Sequence, residues 1–306
     1  MTRNFLSIDD LTPEELSYLL DSSAKVKKDR MSAATALEGK SIALIFEKPS
    51  TRTRVSFEVA IAEAGGAPIV LSASDMQLGR GETIEDTGRV LSRYVHAIVL
   101  RTFDQERLEV LAGAGDAVVI NALSDFEHPC QTLADLLTIR EHKGSLAGLT
   151  IAYLGDGNNV THSLLLGGAK MGMRVQVATP PGYEPIPQVV ERAEEIAAQT
   201  GGSIFVTNDP AAGATGADVL YTDVWASMGQ EEEAVERRFV FPAYILDAAA
   251  VGRANDDAIV MHCLPAHRGE EIAADVIDGP SSVVFDQAEN RLHTQKALLV
   301  WALSEG

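Results

Sequence analysis

One short run of hydroxyl and guanidinium side chains, Ser50-Thr51-Arg52-Thr53-Arg54, has the residue types of an oxyanion site. It follows an apolar stretch at 42–46 that is typical of a buried strand, and it precedes a helical pattern. Free backbone N–H groups and the dipole at a helix N-terminus attract an anion, and the side chains add hydrogen bonds. Because residues two apart do not share a helix face, we expect Arg52 to contact the anion and Arg54 to have a structural or partner-facing role. The alternative is that a hydroxyl of this run only caps the helix and both arginines are solvated.

Two further groups of polar residues follow predicted strands in the first half of the chain. Arg101 ends an apolar strand pattern, and His128-Pro129-Cys130-Gln131 opens a helix with proline at a favourable first-turn position. Taken alone, these are compatible with a surface arginine and a helix-capping histidine. Because ligands of parallel sheets bind at the carboxyl ends of strands, we expect Arg101, His128 and Gln131 to converge with Arg52 at one sheet edge.

The second half of the chain begins with a glycine turn, Gly155-Asp156-Gly157-Asn158-Asn159, after a predicted strand. The turn lacks the third glycine of a dinucleotide fingerprint, and no acidic residue ends the next strand. We therefore expect no NAD and no other cofactor. Asn158 and Asn159 are candidates for binding a polar substrate, or else turn residues that tolerate positive φ.

Two later strands also end in polar residues. Asp223 ends one strand and leads into Ser227-Met228-Gly229, and the next ends in His262-Cys263 with His267 four residues further on. The histidine spacing suggests zinc, but the intervening proline and the missing carboxylate partner argue against it, so we expect no metal. A buried, inert thiol is the alternative interpretation of Cys263.

The elements that position these residues alternate in the manner of parallel βαβ units. The sequence predicts an α/β fold with two domains, each a parallel βαβ sheet with helices on both faces, joined by long interdomain helices. A Gly-rich junction at 143–148 places the boundary between residues 1–145 and 146–306, and a final helix at about 288–303 is expected to pack back towards the first domain. Strands are predicted at 41–46, 67–72, 97–101, 117–121, 149–154, 174–179, 203–207, 218–223, 258–263 and 282–286.

Composition limits the partners. The 306 residues carry a formal net charge of −19, from 44 acidic and 25 basic residues, which argues against nucleic acid or an anionic membrane as the main partner. The N-terminus lacks the apolar core of a signal peptide, and no stretch approaches the roughly 18 apolar residues that span a bilayer. We expect a cytoplasmic protein. Its two cysteines, with no C-x-x-C spacing, suggest neither a disulfide framework nor structural zinc.

Four of these blocks, in this order, resemble the aspartate/ornithine carbamoyltransferase family over the whole chain. They are Ser50 to Arg54, His128 to Gln131, Asp223-x-x-x-Ser227-Met228-Gly229 and His262-Cys263-Leu264-Pro265. The first two resemble the carbamoyl phosphate site that the family shares, and the last two resemble its ornithine form. The resemblance implies transfer of the carbamoyl group to the δ-amine of L-ornithine, which gives L-citrulline and phosphate in arginine metabolism.

The resemblance also implies roles for individual residues. Asn159, Asp223, Ser227 and Met228 would hold ornithine. Arg101, His128, Cys263 and Asp223 would be catalytic, with Cys263 and Leu264 between the two ligands. A homotrimer with shared active sites is implied, to which Gln77 of a neighbouring subunit contributes. Carbamoyl phosphate would be held by Ser50, Thr51, Arg52, Thr53, Gln77, Arg101, His128, Gln131, Cys263, Leu264 and Arg291.

Other acceptors and another class of protein are open alternatives. Putrescine lacks the amino-acid head that Asp223 would bind, acetylation blocks the α-amine of ornithine, and aspartate requires cations where Asp223 lies. A nonenzymatic anion or amino-acid sensor on the same fold is the alternative from a different class. The residues from Ser227 to Gly229 form either a lid over ornithine or an ordinary loop, and the physiological direction of the reaction stays open.

Overall fold

The computed structural model describes residues 3–72, 76, 81–226 and 233–304. The chain divides into two compact units, Met1–Ala134 with Glu289–Gly306, and Asp135–Ala288. The division falls inside two helices, each of which contributes residues to both units. Among the described residues, no helix combines the length and the apolar character needed to span a membrane.

Unit 1 is built on a parallel sheet with strand order β2-β1-β3-β4. Its strands are apolar on both faces, as expected of strands in parallel sheets, and β3 is buried along its whole length. Apolar side chains of β1, β3 and β4 form a core cluster with Leu108 and Leu111 of the helix that follows β3. The elements are α1 (Pro13–Lys28), β1 (Ser41–Phe46), α2 (Thr51–Glu63), β2 (Ala67–Ser72), α3 (Ile84–Leu91), β3 (Ala97–Arg101), α4 (Gln105–Gly113), β4 (Val118–Leu123) and α5 (Pro129–Lys143).

Unit 2 has a second parallel sheet, with strand order β7-β6-β5-β8-β9. The order reverses between β5 and β8, and such a reversal opens a crevice at the carboxyl ends of the strands. The elements are β5 (Thr150–Leu154), α6 (Asn159–Lys170), β6 (Arg174–Ala178), α7 (Pro187–Thr200), β7 (Ser203–Thr207), α8 (Pro210–Ala214), β8 (Val219–Thr222), α9 (Ala234–Val240), α10 (Ala248–Val251), β9 (Ile259–His262), α11 (Ala274–Ile277) and α12 (Val284–Leu303).

The apolar runs predict nine of the strands to within two residues. The strand predicted at 282–286 is wrong, because α12 begins at Val284 and only Ser282 forms an isolated bridge, to Val260. The apolar run here has only three residues, Val283-Val284-Phe285, and so short a run is compatible with either a buried strand or the first turn of a helix. The exposed side chain of Phe285 and the buried side chain of Val284 fit the helix.

Candidate active site

The hydroxyl and guanidinium run lies at the start of α2. Ser50 is the N-cap residue, and its Oγ accepts a hydrogen bond from the backbone N–H of Thr53 at 3.3 Å. Thr51 and Arg52 are exposed in the first turn, where N–H groups have no acceptor within the helix. Arg54 pairs with Glu58 one turn later, at 2.7 Å between Nε and Oε1, on the solvent side. Ser50 therefore does cap the helix, and the turn still offers donors to an anion.

Arg101 is placed next to this turn by the register of the sheet. It is the last residue of β3 and stands opposite Phe46, the last residue of β1. Its carbonyl accepts a hydrogen bond from the N–H of Glu47 at 2.9 Å, and its side chain is buried. The guanidinium is thus held at the carboxyl edge of the sheet, where the sequence predicts it.

A second buried guanidinium, that of Arg291 on α12, connects α2 with α5. It donates to Oε1 of Gln131 at 2.6 Å and to Oγ1 of Thr53 at 3.1 Å, and all three residues are buried. Since an arginine has five N–H donors in a rigid fork, one side chain can fix both partners at once. Thr53, Gln131 and Arg291 therefore form one hydrogen-bonded group.

His128, directly before α5, is buried beside the two guanidinium groups. Burial is the main cause that holds its pKa well below the usual value, and the charges of Arg291 and Arg101 lower it further. The imidazole is therefore neutral near pH 7 and can donate one hydrogen bond without adding positive charge. The thiol of Cys130 is buried as well, and burial raises its pKa to about 12, so it is an inert thiol.

Asp223 is the centre of the polar group in unit 2. It directly follows β8 and is almost fully buried. Its Oδ2 accepts from the side-chain amide of Asn158 at 3.1 Å, and its Oδ1 accepts from the thiol of Cys263 at 2.9 Å. Asn158 is also the N-cap of α6, where its Oδ1 accepts from the N–H of Val160 at 3.0 Å. The helix cap and the carboxylate are thereby held by the same side chain.

The backbone after Cys263 is held by His262. The N–H of Leu264 donates to His262 Nδ1 at 2.8 Å, and His262 Nε2 lies 3.1 Å from Oε1 of the buried Glu271. Leu264 has a φ of 58°, a left-handed conformation that a leucine adopts only where neighbouring contacts hold it. The Leu264–Pro265 peptide bond is cis.

The arrangement also bears on the zinc interpretation. The ligand atoms of Asp223, His262 and Cys263 lie within 4.8 Å of one another. Both ring nitrogens of His262 are already hydrogen-bonded, and the thiol of Cys263 donates to the carboxylate. Because an imidazole must offer a free lone pair to a metal, this donor set fits a hydrogen-bonded network better than a metal ion.

A buried hydrogen-bond network holds the last residue of β9, His262, in place. Gln287 on α12 accepts at Oε1 from the N–H of His262 at 2.9 Å, and its Nε2 donates to Oδ1 of Asp135 at 2.7 Å and to the hydroxyl of Tyr221 at 3.0 Å. Tyr221 also donates to Oδ2 of Asp135 at 3.2 Å. All four residues are buried, so the network fixes the backbone directly before Cys263.

The structure brings Thr53, Arg101, His128, Gln131 and Arg291 together in unit 1, and Asp223 with Cys263 in unit 2. Asn159, the first residue of α6, follows the Asn158 cap. Gln77, Ser227 and Met228 lie outside the described residues. The supporting residues were not among the sequence candidates, because no local motif marks them. Asp135, Tyr221 and Gln287 pair with residues far away in the chain, and Glu271 pairs with His262 nine positions earlier.

Fold and site together define a two-domain α/β protein in which buried cationic donors and a buried carboxylate–thiol pair occupy strand ends of separate sheets. Residues 3–141 match the model of the aspartate/ornithine carbamoyltransferase carbamoyl-P binding domain, and residues 147–302 match that of the family's Asp/Orn binding domain. The chain belongs to the aspartate/ornithine carbamoyltransferase family.

Individual relatives match over nearly the full length. An ornithine carbamoyltransferase of Parafrankia sp. (strain EAN1pec) is 64% identical over 306 residues, which cover 99% of this chain and 96% of the relative. One from Acidothermus cellulolyticus is 61% identical, covering 99% and 97%. The solved structure of the ornithine carbamoyltransferase from Pyrococcus furiosus has a TM-score of 0.93 at 54% identity, covering 97% of this chain and 96% of that one.

Proposed function

We propose that this chain transfers the carbamoyl group from carbamoyl phosphate to the δ-amine of L-ornithine, giving L-citrulline and phosphate. The choice of acceptor depends mainly on one observation: the carboxylate of Asp223 is buried at a strand end and fixed by Asn158 and Cys263. A buried carboxylate suits the α-ammonium group of an amino acid, since charge-assisted hydrogen bonds are strong there. Asn159, Ser227 and Met228 are the further ornithine-binding residues of the proposal.

The donor substrate is assigned to the cationic residues of unit 1. The turn from Ser50 to Thr53 binds the phosphate, and Arg101 and His128 donate to the carbamoyl oxygen as negative charge develops on it. Neutral His128 is suited to this task because the pocket already contains two guanidinium groups. Gln131 and the carbonyl of Leu264 accept from the carbamoyl NH2 group. Arg291 keeps Gln131 and Thr53 in place.

The reaction forms a C–N bond and breaks a C–O bond. The amine lone pair attacks the carbamoyl carbon, and the electron pair of the C–O bond leaves with phosphate. Once bonded to carbon, the nitrogen gives up a further proton, which the departing phosphate takes up. With a reference pKa of about 10.4, taking lysine as the model, the amine is protonated at pH 7 and must first lose a proton. We assign that proton to the Cys263–Asp223 pair. Because the thiol donates to the carboxylate, Cys263 can accept the amine proton only as its own proton passes to Asp223.

Assembly and context belong to the same proposal. The chain forms a homotrimer in which Gln77 of a neighbouring subunit completes each carbamoyl phosphate site. Residues 1–145 form the carbamoyl phosphate-binding domain and residues 146–306 the ornithine-binding domain. The enzyme acts in the cytoplasm in arginine metabolism, and of its two directions we propose the biosynthetic one. Light scattering tests the trimer, for which a monomer or dimer at micromolar concentration would be contrary evidence.

The decisive experiment compares acceptors. Carbamoyl phosphate is incubated with ornithine, putrescine, N-acetylornithine or aspartate, and both the ureido product and phosphate are quantified. We expect turnover with ornithine and at most a small percentage of that rate with the other amines. Binding of both substrates without product would instead support a sensor, and faster turnover of another amine would reassign the acceptor.

The role of the turn is tested by Arg52→Ala, with Arg54→Ala as the matched control from the same helix. We expect Arg52→Ala to abolish measurable carbamoyl phosphate binding in calorimetry and Arg54→Ala to preserve it. Unchanged affinity in Arg52→Ala would contradict the assignment of the turn to phosphate.

A further inference from the structure

Arg237 on α9 is a buried guanidinium in unit 2 that the proposed reaction does not use. Its Nη1 donates to Oδ2 of Asp156 and to the carbonyl of Trp225, both at 2.6 Å. Its Nε and Nη2 donate to Oε2 of Glu233 at 3.1 and 2.9 Å. The side chain is only 6% exposed, whereas that of the adjacent Arg238 is 60% exposed.

Aromatic rings enclose the same guanidinium. Its Cζ lies 4.9 Å from the ring centroid of Tyr183 and 5.7 Å from that of Phe241. Phe241 in turn stacks against Trp225, with 5.8 Å between ring centroids. The rings fix the plane of the guanidinium, so its donors have one set of directions.

The partners of Arg237 come from segments next to the expected ornithine-binding residues. Trp225 lies two residues after Asp223 and two before Ser227, and Glu233 lies five residues after Met228. Asp156 lies in the turn after β5, two residues before Asn158, whose amide holds Asp223. One guanidinium thus joins three chain segments, of which two lead directly to Asp223 or to the residue that holds it.

The turn after β5 packs closely against residues 183–185 at Gly157. A Cβ at Gly157 would lie 2.3 Å from the backbone nitrogen of Pro185 and 2.6 Å from the carbonyl oxygen of Tyr183. The N–H of Gly157 donates to that carbonyl at 2.9 Å, and Tyr183 is the residue whose ring contacts Arg237. Asp156 is thereby held by the guanidinium at its side chain and, through the adjacent Gly157, by the backbone of Tyr183.

We propose that Arg237 is a positioning residue for ornithine, which acts through Asp156 and the backbone of Trp225 to hold Asp223. The inference rests on the proposed function. It predicts a selective effect, because the residues that Arg237 contacts all belong to unit 2, whereas the donor-binding side chains Thr53, Arg101, His128 and Gln131 belong to unit 1.

The charge of Asp156 gives a second, independent readout. Burial raises its pKa to about 6, against the opposing effect of Arg237, and the nearby carboxylates of Asp223 and Glu233 raise it further. Tyr153 on β5 lies near the carboxylates of Asp223 and Asp156. Burial, followed by these charges, raises its pKa well above the usual value, so the phenol stays neutral. As pH falls through about 6, Asp156 takes up a proton and its ion pair with Arg237 weakens.

The test compares Arg237→Gln and Arg237→Lys with the control Arg238→Gln in the intact enzyme, for KM of ornithine, kcat, calorimetric affinity for carbamoyl phosphate and thermal unfolding. We expect Arg237→Gln to raise the KM of ornithine by about 10- to 100-fold, the effect of losing a buried charge-assisted contact. The affinity of Arg237→Gln for carbamoyl phosphate should stay within about twofold of that of the unsubstituted protein. In the exposed-site control Arg238→Gln, the KM of ornithine, kcat and this affinity should all stay within about twofold. The KM of ornithine in Arg237→Lys should lie between those of the unsubstituted protein and Arg237→Gln, since a lysine keeps the charge but not the forked set of donors.

Asp156→Asn removes the charge of the same ion pair and keeps the shape of the side chain. It is therefore the second test variant if Arg237→Gln folds poorly. In both proteins the KM of ornithine should rise as pH falls from 7.5 to 5.5, because less of the amine is neutral. In the unsubstituted protein the rise should be steeper, because Asp156 also takes up a proton, whereas in Asp156→Asn the KM should already be high at pH 7.5 and should rise less. An unchanged ornithine KM in both variants, with normal turnover by the unsubstituted protein, would overturn this inference alone. Equal losses for both substrates would also overturn it, and absence of any citrulline from the unsubstituted protein would overturn the proposed function and the inference together.

Discussion

The strand ends of the two units differ in the charge of the groups that they bury, which is positive in unit 1 and negative in unit 2. In unit 1, the guanidinium groups of Arg101 and Arg291 are buried beside an imidazole that is kept neutral. In unit 2, the buried groups are the carboxylate of Asp223, the thiol of Cys263 and the His262–Glu271 pair. The first set suits a ligand that is negative throughout the reaction, and the second suits one that brings an ammonium group and must lose a proton. Since each set is enclosed by its own unit, substitutions in the two units should affect different substrates.

The largest expected effect comes from Arg101. Removing one preorganised donor from a developing oxyanion typically lowers kcat by about 10²- to 10³-fold, so we expect a loss of that size for Arg101→Ala. Citrulline formation at saturating ornithine measures it, with thermal unfolding to confirm that the variant folds. A loss that appears only as a raised KM for ornithine would contradict the assignment of the carbamoyl donor to unit 1 and the acceptor to unit 2.

Asp223→Asn is the corresponding change in unit 2. We expect the KM of ornithine to rise by about 10- to 100-fold, because a charged hydrogen-bond acceptor becomes neutral in a buried site. The amide keeps the shape of the carboxylate, so the comparison isolates the charge. Initial rates at varied ornithine give the result, and an unchanged KM would remove Asp223 from the acceptor site.

A smaller effect is expected from His128 on the stability of the fold at acid pH. The pKa of His128 is lower in the folded chain than in the unfolded chain, where it is about 6.5, so the unfolded chain binds more protons below that pH. His128 therefore destabilises the fold as pH falls below about 6.5, by up to roughly 1.4 kcal/mol per pH unit. Between pH 7 and 5.5 the unfolding temperature of His128→Gln should fall less than that of the unsubstituted protein or of the exposed-site control His267→Gln. Parallel curves would mean that His128 is not held neutral.

The smallest effect is expected from Arg54, which pairs with Glu58 on the exposed face of α2. Exposed pairs of this spacing contribute about 0.3–0.5 kcal/mol, so Arg54→Ala should change kcat/KM by less than about twofold and stability only slightly. Steady-state measurement of kcat/KM for Arg54→Ala, Arg52→Ala and the unsubstituted protein makes the comparison. A large loss of activity would indicate that both arginines of the run contact the ligand or a neighbouring subunit.

The two units also differ in how much of the site could be predicted from the sequence. Of the proposed donor-binding residues, Arg101 ends an apolar run, and Arg52 and His128 follow such runs after short loops. Adjacent parallel strands bring such ends together. In unit 2, Asp223 and Cys263 were found in the same way, but Arg237 and Asp156 were not, since they are 81 positions apart and meet only through the fold. The strand wrongly predicted at 282–286 has the same origin, because a short apolar run does not state whether tertiary packing will favour a strand or a helix.

The division of labour between the units is tested most directly by calorimetric titration of carbamoyl phosphate into Arg101→Ala and Asp223→Asn. We predict that Arg101→Ala weakens binding by about tenfold or more, since a charge-assisted hydrogen bond contributes about 1.5–3 kcal/mol, and that Asp223→Asn binds as the unsubstituted protein does. Equal weakening in the two variants, or full affinity in Arg101→Ala, would contradict the assignment of the donor to unit 1 and the acceptor to unit 2.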